Sequence, residues 1–446
     1  MNVTIPPGAE RVLKTLTAAG YEAHLVGGCV RDLLRGVPPQ DWDICTSALP
    51  EETEACFREQ RVVKTGLKHG TITVLDGEEA YEVTTYRSDG PYSDGRRPDR
   101  VRFVSDLRED LSRRDFTMNA IAMDLTGGLY DPFDGEKDIR EGRIRCVGEP
   151  VRRFQEDGLR ILRGLRFGAV LGYTLEEKTA NAIHACRAML EHVAAERIHI
   201  ELCKLMVGQA AGEILREFPD VLWQFWPELE PLFTMEQNHL WHCWNGWEHT
   251  LHAVEAAPPE LTLRLTMLLH DVGKPRCRVT DEAGIDHFYA HPQVGSEMAD
   301  EMLRRLKFEN QVRRQVVTLV KYHDIDLPED PRVVRRWLSR LGRETFFQLL
   351  EVKRADALAQ DRDKSQKHLE RCEGLRALAE TLAAEGQCLS LKELAVNGKD
   401  ALALGFSPGP EVGKVLTALL ERVLDGALPN ERETLLKTLK EYEKQN

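Results

Sequence analysis

Two acidic residues separated by one position, Asp41 and Asp43, follow a pair of glycines in the chain. Side chains alternate along a strand, so on a strand these two carboxylates would point to the same face. Two carboxylates on one face can bind Mg²⁺ ions that bridge a triphosphate and an attacking 3′-hydroxyl. Gly27 and Gly28 would let the backbone approach phosphates closely, and a helix after them would offer its N-terminal amides. The spacing therefore predicts a metal-dependent phosphoryl-transfer site.

Two further residues are candidates for the same site. Arg31, one turn into the expected helix, can add a charged donor for phosphate. Glu82 lies in YEVTTYR, whose composition predicts a strand, and it is our candidate for a third carboxylate; the alternative is an ordinary surface glutamate. The Gly-Gly turn and the Asp-x-Asp pair together resemble the catalytic element of the DNA polymerase β-like nucleotidyltransferases. That resemblance implies catalytic roles for Asp41, Asp43 and Glu82.

Three more motifs narrow the family. RRDFTMNA at 113–120, EDGLRILR at 156–163 and ERIHIEL at 196–202 occur in the order found in class II tRNA nucleotidyltransferases and bacterial poly(A) polymerases. The later segment NGKDALALGFSPGPEVG is similar to the C-terminal part of CCA-adding enzymes. The resemblance implies template-independent addition of C, C and A to the 3′ end of tRNA, from CTP and ATP with Mg²⁺.

The motif at 156–163 can also be interpreted physically. On a helix, Asp157 and Arg160 are three residues apart and share a face. The carboxylate could accept a hydrogen bond from the exocyclic amine of cytosine or adenine, and the guanidinium could donate to the base. Uracil and guanine carry a carbonyl at that position and would be rejected. The alternative is a surface ion pair. Arg197 and Glu201 are expected to brace the neighbouring helices rather than to contact substrate.

The resemblance also implies the remaining nucleotide contacts. Arg163 and Arg166, together with Arg114, would face the base or the triphosphate. Asp115 and Asn119 are suited to the ribose hydroxyls, which would favour ribonucleotides.

A Gly- and Pro-rich loop between Ser88 and Arg100 bears on the choice of product. It carries Asp94, Arg96 and Arg97, in a region where CC-adding relatives look shortened. Its presence favours an enzyme that can change from CTP to ATP. A bacterial poly(A) polymerase remains the alternative, because it shares most of the other motifs.

Histidines mark a second group of candidate residues. The segments EHTLHAV, LTMLLHDVGKP and KRADALAQ resemble the HD metal-dependent phosphohydrolases, and Lys274 could orient a phosphate. Imidazole and carboxylate ligands suit a divalent transition metal, whose identity the sequence leaves open. Such a site would suit removal of 2′,3′-cyclic phosphate or phosphate from RNA ends. The candidate ligands are His249, His270, Asp271, His291, His323 and Asp356, with Asp324 a weaker candidate.

A third interpretation is an HD phosphohydrolase whose N-terminal half only binds nucleotide or RNA. The intact Asp41 and Asp43 pair argues against it, and against a purely structural RNA-binding protein, because a binding module does not need two metal carboxylates.

The elements that must position these residues change along the chain. Strand patterns alternate with helical ones up to residue 145, and helical spacing then takes over, including over 176–208. We therefore predict an α+β fold, in which a polymerase β-like nucleotidyltransferase head is followed by helical domains. The predicted domains are the head (1–145), an all-α neck with the base-selecting helix (146–220), an HD-type helical domain (221–360) and a helical, tRNA-binding tail (361–446).

Charge and composition limit the other classes. The 446-residue chain has a formal net charge of −13, which alone counts against nucleic-acid binding. Between residues 140 and 168, however, the sequence contains eight arginines and only four acidic residues. Such a local basic stripe fits one polyanion site. The ten cysteines form no CxxC pair, which argues against a zinc ribbon. No apolar run approaches the roughly 20 residues that span a bilayer, and no signal sequence is evident, so we expect a cytoplasmic protein without a membrane partner.

Overall fold

The computed structural model describes residues 5–67, 70–90, 101–236, 244–384 and 390–444. The chain divides into two units, Met1–Pro227 and Glu228–Asn446. The first unit would contain the predicted head and neck, and the division into four domains stays a prediction. Within the described ranges, no helix is long and apolar enough to cross a membrane.

A seven-stranded sheet organises the described part of the first unit, in the order β3-β4-β5-β2-β1-β8-β9. Residues alternate between buried and more exposed along β4, so Ile72 and Val74 enter the core. The parallel pairing of β2 with β5 places Asp43 opposite Glu82. The strands of this unit are β1 (Ala23–Val26), β2 (Asp43–Thr46), β3 (Arg61–Gly66), β4 (Thr71–Asp76), β5 (Glu79–Thr85), β6 (Arg87–Asp89), β7 (Val101–Phe103), β8 (Ala122–Met123), β9 (Leu129–Tyr130), β10 (Arg143–Ile144) and β11 (Thr174–Leu175).

Helices of the first unit accompany the strands of the sheet. Beyond the sheet the chain is mostly helical, because apolar residues there recur at helical spacing. Short 3₁₀ helices at Thr117–Asn119 and Arg187–His192 connect some of them. The α-helices are α1 (Pro7–Ala18), α2 (Gly28–Leu34), α3 (Pro50–Cys56), α4 (Leu107–Ser112), α5 (Gly135–Arg140), α6 (Pro150–Glu156), α7 (Leu159–Leu171), α8 (Glu177–Cys186), α9 (Ala195–Met206), α10 (Ala211–Glu217) and α11 (Pro219–Leu222).

The described residues of the second unit are helical apart from one hairpin, β12 (Arg278–Thr280) with β13 (Asp286–Phe288). A separate apolar cluster that includes Leu419 and Leu439 forms the core of its last three helices. The helices are α12 (Glu230–Thr234), α13 (Gly246–Ala256), α14 (Leu261–Leu269), α15 (Lys274–Cys277), α16 (His291–Arg305), α17 (Asn310–Tyr322), α18 (Pro331–Leu341), α19 (Arg343–Leu358), α20 (Arg362–Ala384), α21 (Gly398–Ala403), α22 (Pro410–Leu424) and α23 (Arg432–Glu443).

Candidate active site and metal centre

The turn between β1 and α2 depends on Gly27. Its φ of +81° and ψ of −133° define a backbone conformation that side chains disfavour. A Cβ at this position would also lie 3.2 Å from Nη1 of Arg114 and 3.7 Å from Oδ2 of Asp43. The glycine thus brings the backbone next to one candidate carboxylate and one candidate phosphate-binding arginine.

The three predicted carboxylates lie near one end of β2. Asp43 is its first residue and is half-buried, and Glu82 is its register partner on β5. Burial raises the pKa of Asp43, and the charges of Glu82 and Asp41 raise it further, whereas Arg114 opposes the shift. Asp41 itself is exposed and lies in a bend before the strand, so the prediction that both aspartates lie on one strand is wrong.

A hydrogen-bonded chain connects four of the predicted nucleotide-binding residues. Nε of Arg163 donates to Oδ2 of Asp115 at 2.8 Å, and Nδ2 of Asn119 donates to the other oxygen at 3.2 Å. Nη1 of Arg31 donates to Oδ1 of Asn119 at 2.9 Å. Burial alone would raise the pKa of Asp115, but Arg163 and these hydrogen bonds hold it well below its ordinary value. Asp115 is therefore a buried carboxylate that orders the cations around it.

Phe167 is a central residue of the arginine cluster that the sequence prediction missed. The guanidinium carbons of Arg166, Arg31 and Arg163 lie 3.7, 5.2 and 5.6 Å from the centroid of its buried ring. Arg166 also donates from Nε to Glu201 at 2.8 Å. Part of the signal was present in the sequence, since Phe167 is four residues from Arg163 on one helix, the spacing at which helical side chains meet.

The predicted base-selecting pair lies at the junction of α6 and α7. Asp157 has an extended backbone, with φ −147° and ψ 105°, so the prediction that it shares a helix with Arg160 is wrong. Its carboxylate accepts two hydrogen bonds from Arg197, at 2.7 and 3.1 Å, and one from the amide of Leu159. Arg197 thus holds Asp157, forty residues away in the chain.

Arg160 is buried beside this junction. Its guanidinium donates to the carbonyls of Arg113 and Arg153, at 2.9 and 3.1 Å, and to a carboxylate oxygen of Glu156 at 2.8 Å. It is therefore fixed by protein acceptors on three sides. The remaining predicted residues of the first unit, Asp94, Arg96 and Arg97, lie outside the described residues.

The histidine cluster forms a second buried site, within the second unit. His249 lies in α13, His270 follows α14, His291 begins α16, His323 follows α17, and Asp356 lies in α19. Two sets of ligand atoms lie within 4.8 Å of one another: His249, His270 and Asp271, and Asp271, His291 and His323. Within the described ranges, the set of Asp41, Asp43 and Glu82 is not as tight.

All four histidines are oriented in the same way. Each Nδ1 faces a backbone carbonyl at 2.7–3.3 Å, and three of these acceptors are the carbonyls three residues earlier. The Nε2 atoms converge instead, with 3.2 Å between His249 and His270 and 3.3 Å between His291 and His323. An Nδ1–H that donates to a carbonyl leaves Nε2 as a free ligand atom, which is the usual arrangement of metal-binding histidines.

Carboxylates lie between the two histidine pairs. Asp271 has its oxygens 3.3–3.7 Å from all four Nε2 atoms, and Nζ of Lys274 lies 2.6 Å from its Oδ2. Burial would raise the pKa of Asp271, but His270 and Lys274 hold it well below its ordinary value. Asp356 adds Oδ1 at 3.0 Å from Nε2 of His249. The donor set of imidazoles and carboxylates fits divalent transition metals.

Two cavities open beside this cluster. One, of about 350 Å³, is lined by Asp271, Lys274, His291 and residues of the β12–β13 hairpin. The other, of about 240 Å³, includes Lys353. Asp324 lines both cavities, but it belongs to neither of the two tight ligand sets.

The sheet, the glycine turn and the carboxylates beside it define a nucleotidyltransferase. Residues 23–145 match the family model described as "Poly A polymerase head domain". Residues 172–221 match "Probable RNA and SrmB- binding site of polymerase A", and residues 280–439 match "tRNA nucleotidyltransferase domain 2 putative".

Relatives over the whole length are more specific. The chain is 37% identical to the CCA-adding enzyme of Latilactobacillus sakei, with 96% of each covered, and 35% identical to that of Bacillus cereus, with 97% and 98% covered. The structure of the Bacillus stearothermophilus CCA-adding enzyme in complex with CTP superposes with a TM-score of 0.73, at 32% identity and 99% coverage of both chains. The chain belongs to the family of CCA-adding enzymes.

Proposed function

We propose that this protein adds C, C and A, without a template, to the 3′ end of tRNA from CTP and ATP. The observation that carries the proposal is the register of Asp43 with Glu82 beside the Gly27 turn, in a chain of this family. The related Bacillus stearothermophilus enzyme has been solved with CTP, and the Thermotoga maritima enzyme with tRNA. We include in the proposal a cytoplasmic location and binding of the tRNA by the tail.

Asp41 and Asp43, with Glu82, would hold Mg²⁺. The residues fit the ion, because burial and two neighbouring carboxylates raise the pKa of Asp43, and a cation relieves that repulsion. Bound Mg²⁺ would supply charge neutralisation for the triphosphate. Because Gly27 has no Cβ, which would lie 3.2 Å from Nη1 of Arg114, its backbone would approach the phosphates closely.

The arginine cluster around Phe167 would bind the nucleotide, and Asp115 and Asn119 would meet the ribose. Asp157 would accept from the amine of cytosine or adenine, since its oxygens retain lone pairs beyond those used by Arg197. Arg160 would donate to the same base.

The test supplies tRNA lacking its 3′ end with CTP, ATP or both, followed by sequencing of the products. CCA ends that need both nucleotides support the proposal, whereas long A tracts on any RNA would establish a poly(A) polymerase. Asp41→Ala should abolish transfer. Asp157→Ala should admit UTP, and unchanged nucleotide choice in that variant would exclude its role.

A second activity is favoured by the common orientation of the four histidines. We propose that the second unit hydrolyses phosphate esters at RNA ends, with His249, His270, Asp271, His291, His323 and Asp356 as ligands. Divalent metal would supply a water of lowered pKa and polarise the phosphate. Lys274 would orient the phosphate.

Metal content and hydrolysis test this second proposal separately. Purified protein should contain divalent metal, and it should open a 2′,3′-cyclic phosphate on an RNA end. Asp271→Asn should lose both properties and retain nucleotide transfer. His252→Ala, on the same helix as His249, is the matched control. Equal metal content in both variants would refute the ligand assignment.

A further inference from the structure

The hairpin beside the candidate metal centre is held by polar contacts. Asp286 is buried and accepts from Nε and Nη2 of Arg278, at 2.9 and 2.8 Å, and from the hydroxyl of Thr280 at 2.7 Å. All three residues belong to β12 or β13. The exposed strand β12 is therefore tied to the buried end of β13, and the two strands are held together by side chains as well as by backbone pairing.

The turn of this hairpin fixes an aromatic stack. Oδ1 of Asp281 accepts from the amides of Ala283 and Ile285, both at 2.9 Å, and Oδ2 lies 2.9 Å from Nε2 of His287. Tyr289 stacks on the His287 ring, with 5.5 Å between centroids and 5° between planes. The imidazole is thus held from one edge while its face supports the tyrosine.

Tyr289 is unusually exposed for a large aromatic residue. Its relative accessibility is 70%, so most of the ring faces solvent and gains little from packing. Tyr289 and His287 line the cavity of about 350 Å³ that also contains Asp271, Lys274 and His291. Since Tyr289 is two residues before His291, their Cα atoms lie within about 7 Å. The exposed ring and the candidate ligands therefore belong to one cavity.

We propose that Tyr289, supported by His287, is a stacking platform for the terminal nucleobase of an RNA 3′ end whose phosphate lies at the histidine cluster. The inference rests on the proposed hydrolase activity and identifies its substrate as a base-bearing end. Flat, solvent-exposed aromatic rings are the common protein surface for unpaired bases, and stacking accepts any base. The 3′ ends of different tRNAs could therefore be bound whatever their terminal base.

The kinetic test uses two short RNAs that end in a 2′,3′-cyclic phosphate, one with a normal terminal nucleotide and one with an abasic terminal ribose. Tyr289→Ala should raise KM for the base-bearing RNA by about 10- to 100-fold and leave the abasic RNA unaffected. Tyr289→Phe should retain stacking, and Phe233→Ala removes another exposed aromatic residue of the unit as a control. Equal effects on both RNAs would overturn the platform.

A second readout does not depend on hydrolysis. RNA ending in 4-thiouridine should crosslink on irradiation to Tyr289 or His287, and mass spectrometry locates the adduct. A cyclic mononucleotide serves as competitor and should suppress the adduct. Absence of any RNA adduct at Tyr289 or His287 would contradict binding of an RNA end. If the wild-type protein hydrolyses neither RNA but the adduct forms, the hydrolase proposal fails and the platform stands. If hydrolysis occurs without an adduct and Tyr289→Ala is unchanged, the platform fails alone.

Discussion

Phe167 allows a direct test of how the arginine cluster is positioned. Replacing it by leucine in α7 keeps an apolar side chain but removes the ring face that Arg31, Arg163 and Arg166 approach. Each arginine retains an acceptor of its own, in Asn119, Asp115 and Glu201, respectively. The variant should therefore fold with the same charges but with less ordered guanidinium groups.

The expected magnitude follows from these contacts. Ordering a long side chain on binding costs about 0.5–1.5 kcal/mol, and the retained acceptors place each arginine near the lower value. Three arginines then cost about 1.5 kcal/mol, which corresponds to a rise of roughly tenfold in KM for CTP and ATP. The same change should lower the free energy of unfolding by about 1–3 kcal/mol, as for other truncations in a core.

The assay measures steady-state KM and kcat for each nucleotide at saturating tRNA, together with thermal unfolding. Phe116→Leu is the matched control, because Phe116 is fully buried and packs edge-on against Phe167, with 5.9 Å between centroids. It should lose similar stability without a change in KM. An unchanged KM in folded Phe167→Leu, or the same increase in the Phe116 variant, would refute the reasoning.

Three further predictions concern strained or buried groups. Because burial raises the pKa of Asp43, its charged form costs stability once the pH exceeds that raised value. Asp43→Asn should thus raise the melting temperature near pH 8, and this gain should disappear as the pH falls from the raised pKa to the ordinary carboxyl pKa. A lower melting temperature of the variant at pH 8 would contradict the reasoning. Ala290 has φ +60°, which costs about 1–2 kcal/mol outside glycine, so Ala290→Gly should stabilise by up to about 1 kcal/mol in denaturant titration, and destabilisation would exclude the strain. Lys353→Met should lower the free energy of unfolding by about 1–3 kcal/mol in the same titration, because Nζ of Lys353 donates to the carbonyls of His323 and Ile325. Equal stability of the variant would show that water replaces the ammonium group.

Much of the sheet was predictable from local pattern. TITVLD forms β4 over Thr71–Asp76, and the β-branched run around Glu82 forms β5. The strand predicted at YEVTTYR forms, and in both segments one face is buried, so alternation is enough to specify them. The helix after the Gly-Gly pair also forms, as α2, where the chain must turn at Gly27.

The histidine cluster shows where prediction from local pattern ends. The carbonyls that orient His270, His291 and His323 lie three residues earlier in the chain. For His270 and His323 this carbonyl belongs to the end of the preceding helix, and for His291 it belongs to the end of the preceding strand, β13. The carbonyl that orients His249 is that of Ala359, 110 residues later, which no local pattern encodes. The Phe167 contacts similarly combine one helix with Arg31 from another.

The junction at Asp157 shows why base selection was only partly predictable. Helical spacing on both sides concealed the break, although Asp-Gly is a turn signal in itself. Gly158 is required there because a Cβ would lie 2.8 Å from the carbonyl oxygen of Met189. That close approach brings the chain near enough for Arg197 to bind Asp157 through both oxygens. The carboxylate proposed to read the base is thus aimed by a backbone contact and by an arginine on α9, neither of which needs to touch the nucleotide. A sequence motif can identify such a carboxylate, but its direction is set by residues outside the motif.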